Sequence, residues 1–367
     1  MEKKSINVAI NGFGRIGRAF TKLAQAYPEL NIVAVNDLGN IENLAYLLKY
    51  DTAYGRNASS VATDLSDESA PQIIIDGKPI RVFSEKDPEN IPWGDYDVDV
   101  VVEATGFFVK FEDAERHLQG GAKRVVISAP AKSDPQGDHH QTVLMGVNDE
   151  NLKTCSVSSN GSCTTNAGSP LMTILDEAIG IEKAMLNTIH SYTSSQSLID
   201  APVRGGSDFR KGRAAAHNII PSTTGAAIAT TKVMTQLAGK FDGMATRVPT
   251  LTGSMADITF VAKRDTTVEE VNQILKDAAN DPRWHGIFTT IEDQVVSQDI
   301  VGNRHASIAD LNFTKVVDGD LVKVIGWYDN EIGYTHSLVK HVIRTGRFEQ
   351  ETLGLGTHKL SVKNDEE

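Results

Sequence analysis

The stretch "INVAINGFGRIGRAF", residues 6 to 20, decides the fold. A short apolar run through Ile6, Val8 and Ile10 gives way to Gly12, Gly14 and Gly17 in G-x-G-x-x-G spacing, and a helical pattern follows at once in "RAFTKLAQA", residues 18 to 26. Such a loop serves a tight turn, a backbone bare enough to approach a pyrophosphate, and free N–H groups at a helix N-terminus. Glycine-rich turns are common, so the spacing alone is weak. The second strand, "NIVAVND" over residues 31 to 37, adds Asp37 about 20 residues beyond the last glycine, where a carboxylate bonds an adenosine ribose and repels a 2'-phosphate. Strand, turn, helix, strand and acid in this order point to a dinucleotide site, with NAD favoured over NADP.

Working outward, short β-rich runs alternate with amphipathic segments: "IENLAYLLKY" (41 to 50), "VDVVVEATG" (98 to 106), "EDAERHLQGG" (112 to 121) and "RVVISAP" (124 to 130). Repeated strand and helix predict a parallel sheet covered on both faces. After about residue 160 the pattern turns to longer alternating strands, "KAMLNTIHSY", "GMATRVP" and "SMADITFVAKR", which predict a largely antiparallel sheet with helices laid across it. In "KVVDGDLVKVIGW" the pair Asp318-Gly319 signals a hairpin, and Thr266 with Glu269 reads as a capping box opening a helix.

A chain of 367 residues favours two domains. Its formal charge of -12 argues against non-specific binding to nucleic acid or anionic membranes, while leaving room for a local basic site for a small anion. No apolar run is long enough to span a bilayer, and Asn7 and Asn11 interrupt the only stretch that imitates a secretory signal, so a cytoplasmic chain is expected.

Only two cysteines occur, too few for a disulfide framework and unsuited to zinc. Cys155, in the strand-like "KTCSVSS", reads as a small buried hydrophobe. Cys163, in "SNGSCTTN", lies among small polar residues that suit the opening of a helix, where the dipole lowers a thiol's pKa and enriches the thiolate. Pro170 stands against that helix, since proline starts or kinks one. His190, ending the apolar strand of "NTIHSYTSSQ", suits a strand-end catalytic base, with a satisfied core or surface histidine as the alternatives. His139 and His140, in "DPQGDHHQ", read as a solvated loop pair, weak metal binding being their alternative; no metal centre is expected.

Taken together, "INGFGRIGR", "SNGSCTTN", "HSYT", "NIIPSTTGAA", "RVPT" and "WYDNEIGY" resemble phosphorylating glyceraldehyde-3-phosphate dehydrogenases, in the family's order, from about Ile6 to about Ile343. The resemblance implies an α/β protein: an N-terminal Rossmann NAD-binding domain over residues 1–161, completed by a C-terminal helix at about 333–345, and an α+β catalytic domain with a mostly antiparallel sheet over 162–332. Residues 346–367 extend past the family's usual end, without an assigned purpose. It also implies a homotetramer and the substrates glyceraldehyde 3-phosphate and inorganic phosphate.

Carried over position by position, the resemblance makes Cys163 the nucleophile and His190 the base. Gly12, Gly14, Arg15, Ile16, Gly17, Asp37, Lys86, Ser128 and Asn330 then contact NAD, with Asn330 at the nicotinamide carboxamide. Ser162, Thr164, Arg213, Thr224 and Gly225 match one anion site, and Thr193 with Arg247 the other.

Some positions depart from the family. Lys86 stands where an arginine is common, Ala167 removes a frequent second cysteine, Ala201 replaces a leucine of NAD-dependent members, and the loop leading to Arg213 is roughly two residues longer. Erythrose-4-phosphate dehydrogenase is the nearest rival reading. The intact Thr193 and "TTG" features weigh against it.

Overall fold

The computed structural model describes residues 5–203 and 207–352. Its first half is a nine-stranded sheet centred on Ile6–Asn11. On one side of that strand lie Val100–Glu103, Arg124–Ile127, Val157–Ser159 and the edge strand His140–Thr142, all parallel. On the other lie Leu30–Asn36 and Lys78–Phe83, also parallel, followed by two antiparallel strands, Gln72–Ile75 and Val61–Asp64. The sequence leads from Ile6–Asn11 to a neighbour on one side and later returns to the other. This reversal opens a crevice beyond the carboxyl ends of Ile6–Asn11 and Val100–Glu103, where open α/β sheets bind ligands.

The second half is an eight-stranded sheet of mixed sense. Ile181–Ser191 lies at its centre, antiparallel to Ser254–Ala262 and parallel to Phe241–Val248; most other pairs are antiparallel, as the alternating pattern predicts. The Asp318-Gly319 hairpin forms, with both residues at positive φ. The helix Val268–Ala279 is capped one residue later than expected: the Thr267 side chain accepts from the Glu270 N–H, while Thr266 bonds the Glu270 carboxylate.

Two long helices join the halves. Cys163–Ile179 runs through Pro170 without ending there. Proline in a helix interior costs about 3 kcal/mol, which the burial of nearly every residue from Thr164 to Leu175 offsets. The C-terminal helix, Ile332–Thr352, returns to the first sheet and continues past the expected end near 345. At Gly346 it comes so close to the first strand that a Cβ would lie 2.6 Å from Ile6 Cγ2, so a residue with no side chain permits the helix to seat. The extension beyond residue 352 lies outside the described residues.

One expectation fails in this region. His140 is not a solvated loop residue: it begins the edge strand, is 1% exposed, and stacks on Phe111. Pairing with Val157–Ser159 draws its backbone into the sheet, and its ring follows. His139 is exposed, as expected.

Candidate active site

The glycine loop has the shape its sequence calls for. Gly12 takes φ +94, and a Cβ there would sit 2.6 Å from the Thr105 amide nitrogen; at Gly17 one would meet the Gly12 carbonyl at 2.2 Å, while the space over Gly14 is open. Gly14 caps the helix Arg15–Ala24 without a side-chain bond, leaving first-turn N–H groups directed at that space. Asp37 Oδ2 accepts from the Phe13 N–H at 2.7 Å and Oδ1 from the Gly39 N–H at 2.8 Å. The acid therefore sets the loop's position, and each oxygen keeps a lone pair for a ribose hydroxyl. A bare cradle, free amides and a fixed carboxylate fit a dinucleotide.

Beneath the loop, Asn11 donates to buried Glu103, which also accepts from the Thr105 N–H. The Trp93 indole donates to His117 Nδ1 at 3.0 Å; because indole nitrogen only donates, the His117 proton sits on Nε2 and goes to Glu103 at 3.1 Å. This network ties the two strands on either side of the crevice.

Across the crevice, Ser162 caps the helix that Cys163 begins, accepting from the Thr165 N–H at 3.0 Å. Cys163 Sγ lies 3.3 Å from His190 Nε2. The strand Ile181–Ser191 carries His190 to this point, and the ring packs edge-on against Tyr328, whose hydroxyl shares hydrogen bonds with Thr164 and Thr188. His190 Nδ1 lies 2.6 Å from the Ser191 carbonyl, and the tautomer that donates to this oxygen leaves Nε2 as the acceptor facing the sulfur. Arg247 lies against the same Nδ1 and donates to the same carbonyl at 3.0 Å.

Burial at this pair works against the sequence expectation of an enriched thiolate. Cys163 does occupy a helix N-terminus, but burial between the cores of both halves pushes its thiol above the ordinary value, against the opposing pull of the Arg247 charge. Burial, and then Arg247, push His190 down to about 3. Both shifts favour the uncharged forms, thiol and imidazole, and the thiolate forms by passing its proton to Nε2. Cys155 is buried as expected, beside Val143, Leu152 and Phe348, and burial pushes its thiol up to about 12.

The remaining candidates divide. Asn330 is buried at the crevice, its Oδ1 accepting from Ser254 Oγ at 2.9 Å, Gly253 N–H at 3.2 Å and Thr252 Oγ1 at 3.3 Å; among the described residues its Nδ2 makes no hydrogen bond and is left for a ligand. The Arg15 side chain is engaged by Glu331 and Asp51, so it clasps the segment next to Asn330, and its backbone, with that of Ile16, faces the cradle. Ser128 follows the strand Arg124–Ile127, its N–H bonded to the Glu103 carbonyl. Lys86 is exposed.

Thr224 and Gly225 open the helix Ala226–Val233, with Thr224 Oγ1 accepting from the Ala226 N–H. Thr193 bonds Ser195. Arg213 is exposed and donates to Asp200 at 2.8 Å, and no hydrogen bond or ion pair among the described residues links it to the thiol or the threonines.

Sequence reading missed the support behind the cysteine. Tyr334, Ser337 and His341 lie on one face of the C-terminal helix, at the three- and four-residue steps that make helical neighbours. Tyr334 donates to the Gly161 carbonyl, Ser337 to Asn166 Oδ1, and His341 bonds Ser158 and Asn160. Tyr328 was missed as well. Both tyrosines stand in "WYDNEIGY", so the signal was present, but their partners are over 100 residues away in sequence.

Residues 6–111 match the family described as glyceraldehyde 3-phosphate dehydrogenase, NAD binding domain, and residues 162–330 match glyceraldehyde 3-phosphate dehydrogenase, C-terminal domain. Among relatives, the glyceraldehyde-3-phosphate dehydrogenase of Streptomyces coelicolor is 47% identical over 345 residues, which is 93% of this chain and 99% of the relative. That of Clostridium pasteurianum is 47% identical over 91% of this chain and 96% of its own, and that of Geobacillus stearothermophilus is 46% identical over the same shares.

Proposed function

Because the chain belongs to the glyceraldehyde-3-phosphate dehydrogenase family and is an NAD-dependent oxidoreductase of that type, we propose that Cys163 is its nucleophile and His190 its acid–base residue. The observation that carries this assignment is the 3.3 Å approach of Sγ to Nε2, with the other ring nitrogen committed to Ser191. NAD, when bound in the glycine cradle, supplies the hydride acceptor.

Cys163 Sγ bonds to the aldehyde carbon as its proton passes to His190 Nε2, and the same proton then neutralises the new oxyanion to give a hemithioacetal. His190 next takes the hydroxyl proton while the carbon gives up its hydride, leaving a thioester on Cys163. Phosphate attacks the thioester carbonyl, the C–S bond breaks, and the thiolate leaves with 1,3-bisphosphoglycerate as product. A thioester is reactive enough for that displacement, which explains sulfur in place of a serine oxygen.

Arg247 and Thr193 serve one phosphate; Ser162, Thr164, Thr224, Gly225 and Arg213 serve the other. Arginine and hydroxyls supply the charge-assisted bonds that a phosphate takes. For Arg213 to take part, its exposed pair with Asp200 must open, a small cost for an ion pair in water. Asn330, Asp37, Ser128, Lys86 and the backbone at Gly12 to Gly17 hold NAD. We divide the chain at 161/162, between the last strand of the parallel sheet and the cap of the cysteine helix.

The working form is a homotetramer in the cytoplasm. Supporting the first, Leu198 is 80% exposed and Phe209 76%, with Ile199 and Ile219 also exposed, an apolar loop surface that a neighbouring subunit would cover. Supporting the second, the chemistry needs a free thiol, which a reducing compartment keeps.

Steady-state reduction of NAD by glyceraldehyde 3-phosphate tests the assignment. Turnover disappears in Cys163→Ser, falls by about 10²–10⁴ in His190→Asn, and requires phosphate. Full turnover in Cys163→Ser, or without phosphate, would refute it.

A further inference from the structure

We propose that Glu115, His139 and His140 form a binding site for a first-row divalent cation, with Zn2+ the ion this donor set favours. His140 is 1% exposed, and both its ring nitrogens are buried without a hydrogen-bond partner. The ring is held by stacking on Phe111, 5.1 Å between centroids and 10° between planes. Buried polar atoms are almost always satisfied, so an imidazole with neither nitrogen engaged asks for a ligand.

Glu115 Oε2 stands 3.7 Å from His140 Nε2. That gap is too long for a hydrogen bond, whose donor and acceptor lie at about 2.7–3.2 Å. It is close to the separation of two donors on one ion: at about 2.0–2.1 Å from a tetrahedral zinc, ligand atoms lie roughly 3.4 Å apart. His139 supplies the third donor. Its ring centroid is 4.4 Å from that of His140, and the three ligand atoms lie within 4.8 Å of one another.

The two outer donors have room to close the remaining distance. Glu115 lies at the joint between the short helices Phe111–Ala114 and Arg116–Gln119 and is half-exposed, and His139 is exposed. Glu112 also faces His140 and adds to the negative potential there. Two imidazoles and a carboxylate suit zinc, and three protein ligands leave a fourth position for water. An ion here ties the sheet's edge strand to the helix pair beside it. None of the three residues belongs to the thiol site.

The test uses the untagged full-length protein carrying Cys163→Ser, because the thiolate would itself bind zinc. Calorimetric titration with ZnCl2 is expected to give one ion per chain, and Co2+ the visible bands of tetrahedral coordination. Glu115→Gln and His139→Ala alter partly exposed side chains and leave the fold in place; each is expected to weaken binding at least tenfold. His140→Ala is expected to abolish it. Zinc also raises the melting temperature of the Cys163→Ser protein and not that of the variants. No stoichiometric binding, or binding that both Glu115→Gln and His139→Ala leave unchanged, overturns the site.

Discussion

Tyr334 donates its hydroxyl to the carbonyl of Gly161, 3.1 Å away and 173 residues earlier in the chain. Gly161 takes φ +66 two residues before the nucleophile, so this bond fixes the turn from which Cys163 starts its helix. Removing the donor strands a buried carbonyl, which costs about 1–3 kcal/mol. Tyr334→Phe is expected to lower stability by that amount in denaturant melts and to reduce kcat more than the KM for NAD. A variant with wild-type stability and turnover would mean that the turn holds without it.

Acid stability follows from three buried histidines. Burial pushes His190, His336 and His341 each down to about 3. In the unfolded chain they take protons near pH 6.5, but in the folded chain not until about 3, so their contribution is complete above pH 6.5 and is lost as the pH falls toward 3. Each such group adds a slope of about 1.4 kcal/mol per pH unit within that window. Urea melts between pH 4 and 7 are expected to show this loss, shallower in His341→Gln. A flat profile would contradict the burial of these rings.

Arg247 acts on the imidazole before any substrate arrives. Its charge, added to burial, disfavours the imidazolium of His190. In a Cys163→Ser background, Arg247→Leu is expected to raise the His190 pKa, though not to the ordinary value, because burial remains. Titration followed by imidazole NMR reads the shift directly. An unchanged or lower value would remove the electrostatic role of Arg247.

Asp37 fixes the cradle through the Phe13 and Gly39 N–H groups and is the residue proposed to bond the ribose of NAD. Asp37→Ala removes the bond to the Phe13 N–H and the negative charge that repels a 2'-phosphate. The KM for NAD is expected to rise at least tenfold and the preference over NADP to shrink, measured with the two cofactors side by side. An unaltered preference would place discrimination elsewhere.

The legible part of the site was the part built from neighbours in sequence. Gly12, Gly14 and Gly17 sit in one loop, and Ser162 and Cys163 in one helix start, so short-range geometry gives their placement. Asn330 and His190 were found through their motifs, while the bonds that orient them, to Ser254 and Ser191, were not. His140 was misread because "DPQGDHHQ" is polar throughout, whereas its burial comes from pairing with Val157 and stacking on Phe111. The Thr266 and Thr267 positions differ by one residue because either threonine can begin the turn, and contact with Glu270 selects between them.

By itself, the chain's order of residues determined the two kinds of sheet, the dinucleotide loop, and the thiol with its histidine, because periodicity and loop chemistry act over a few residues. Only the tertiary structure decided the desolvation of Cys163 and His190, the grip of Tyr334, Ser337 and His341 on the cysteine turn, and the gathering of Glu115 with His139 and His140. Desolvation and convergence depend on which surfaces come together in space, and no local pattern encodes that.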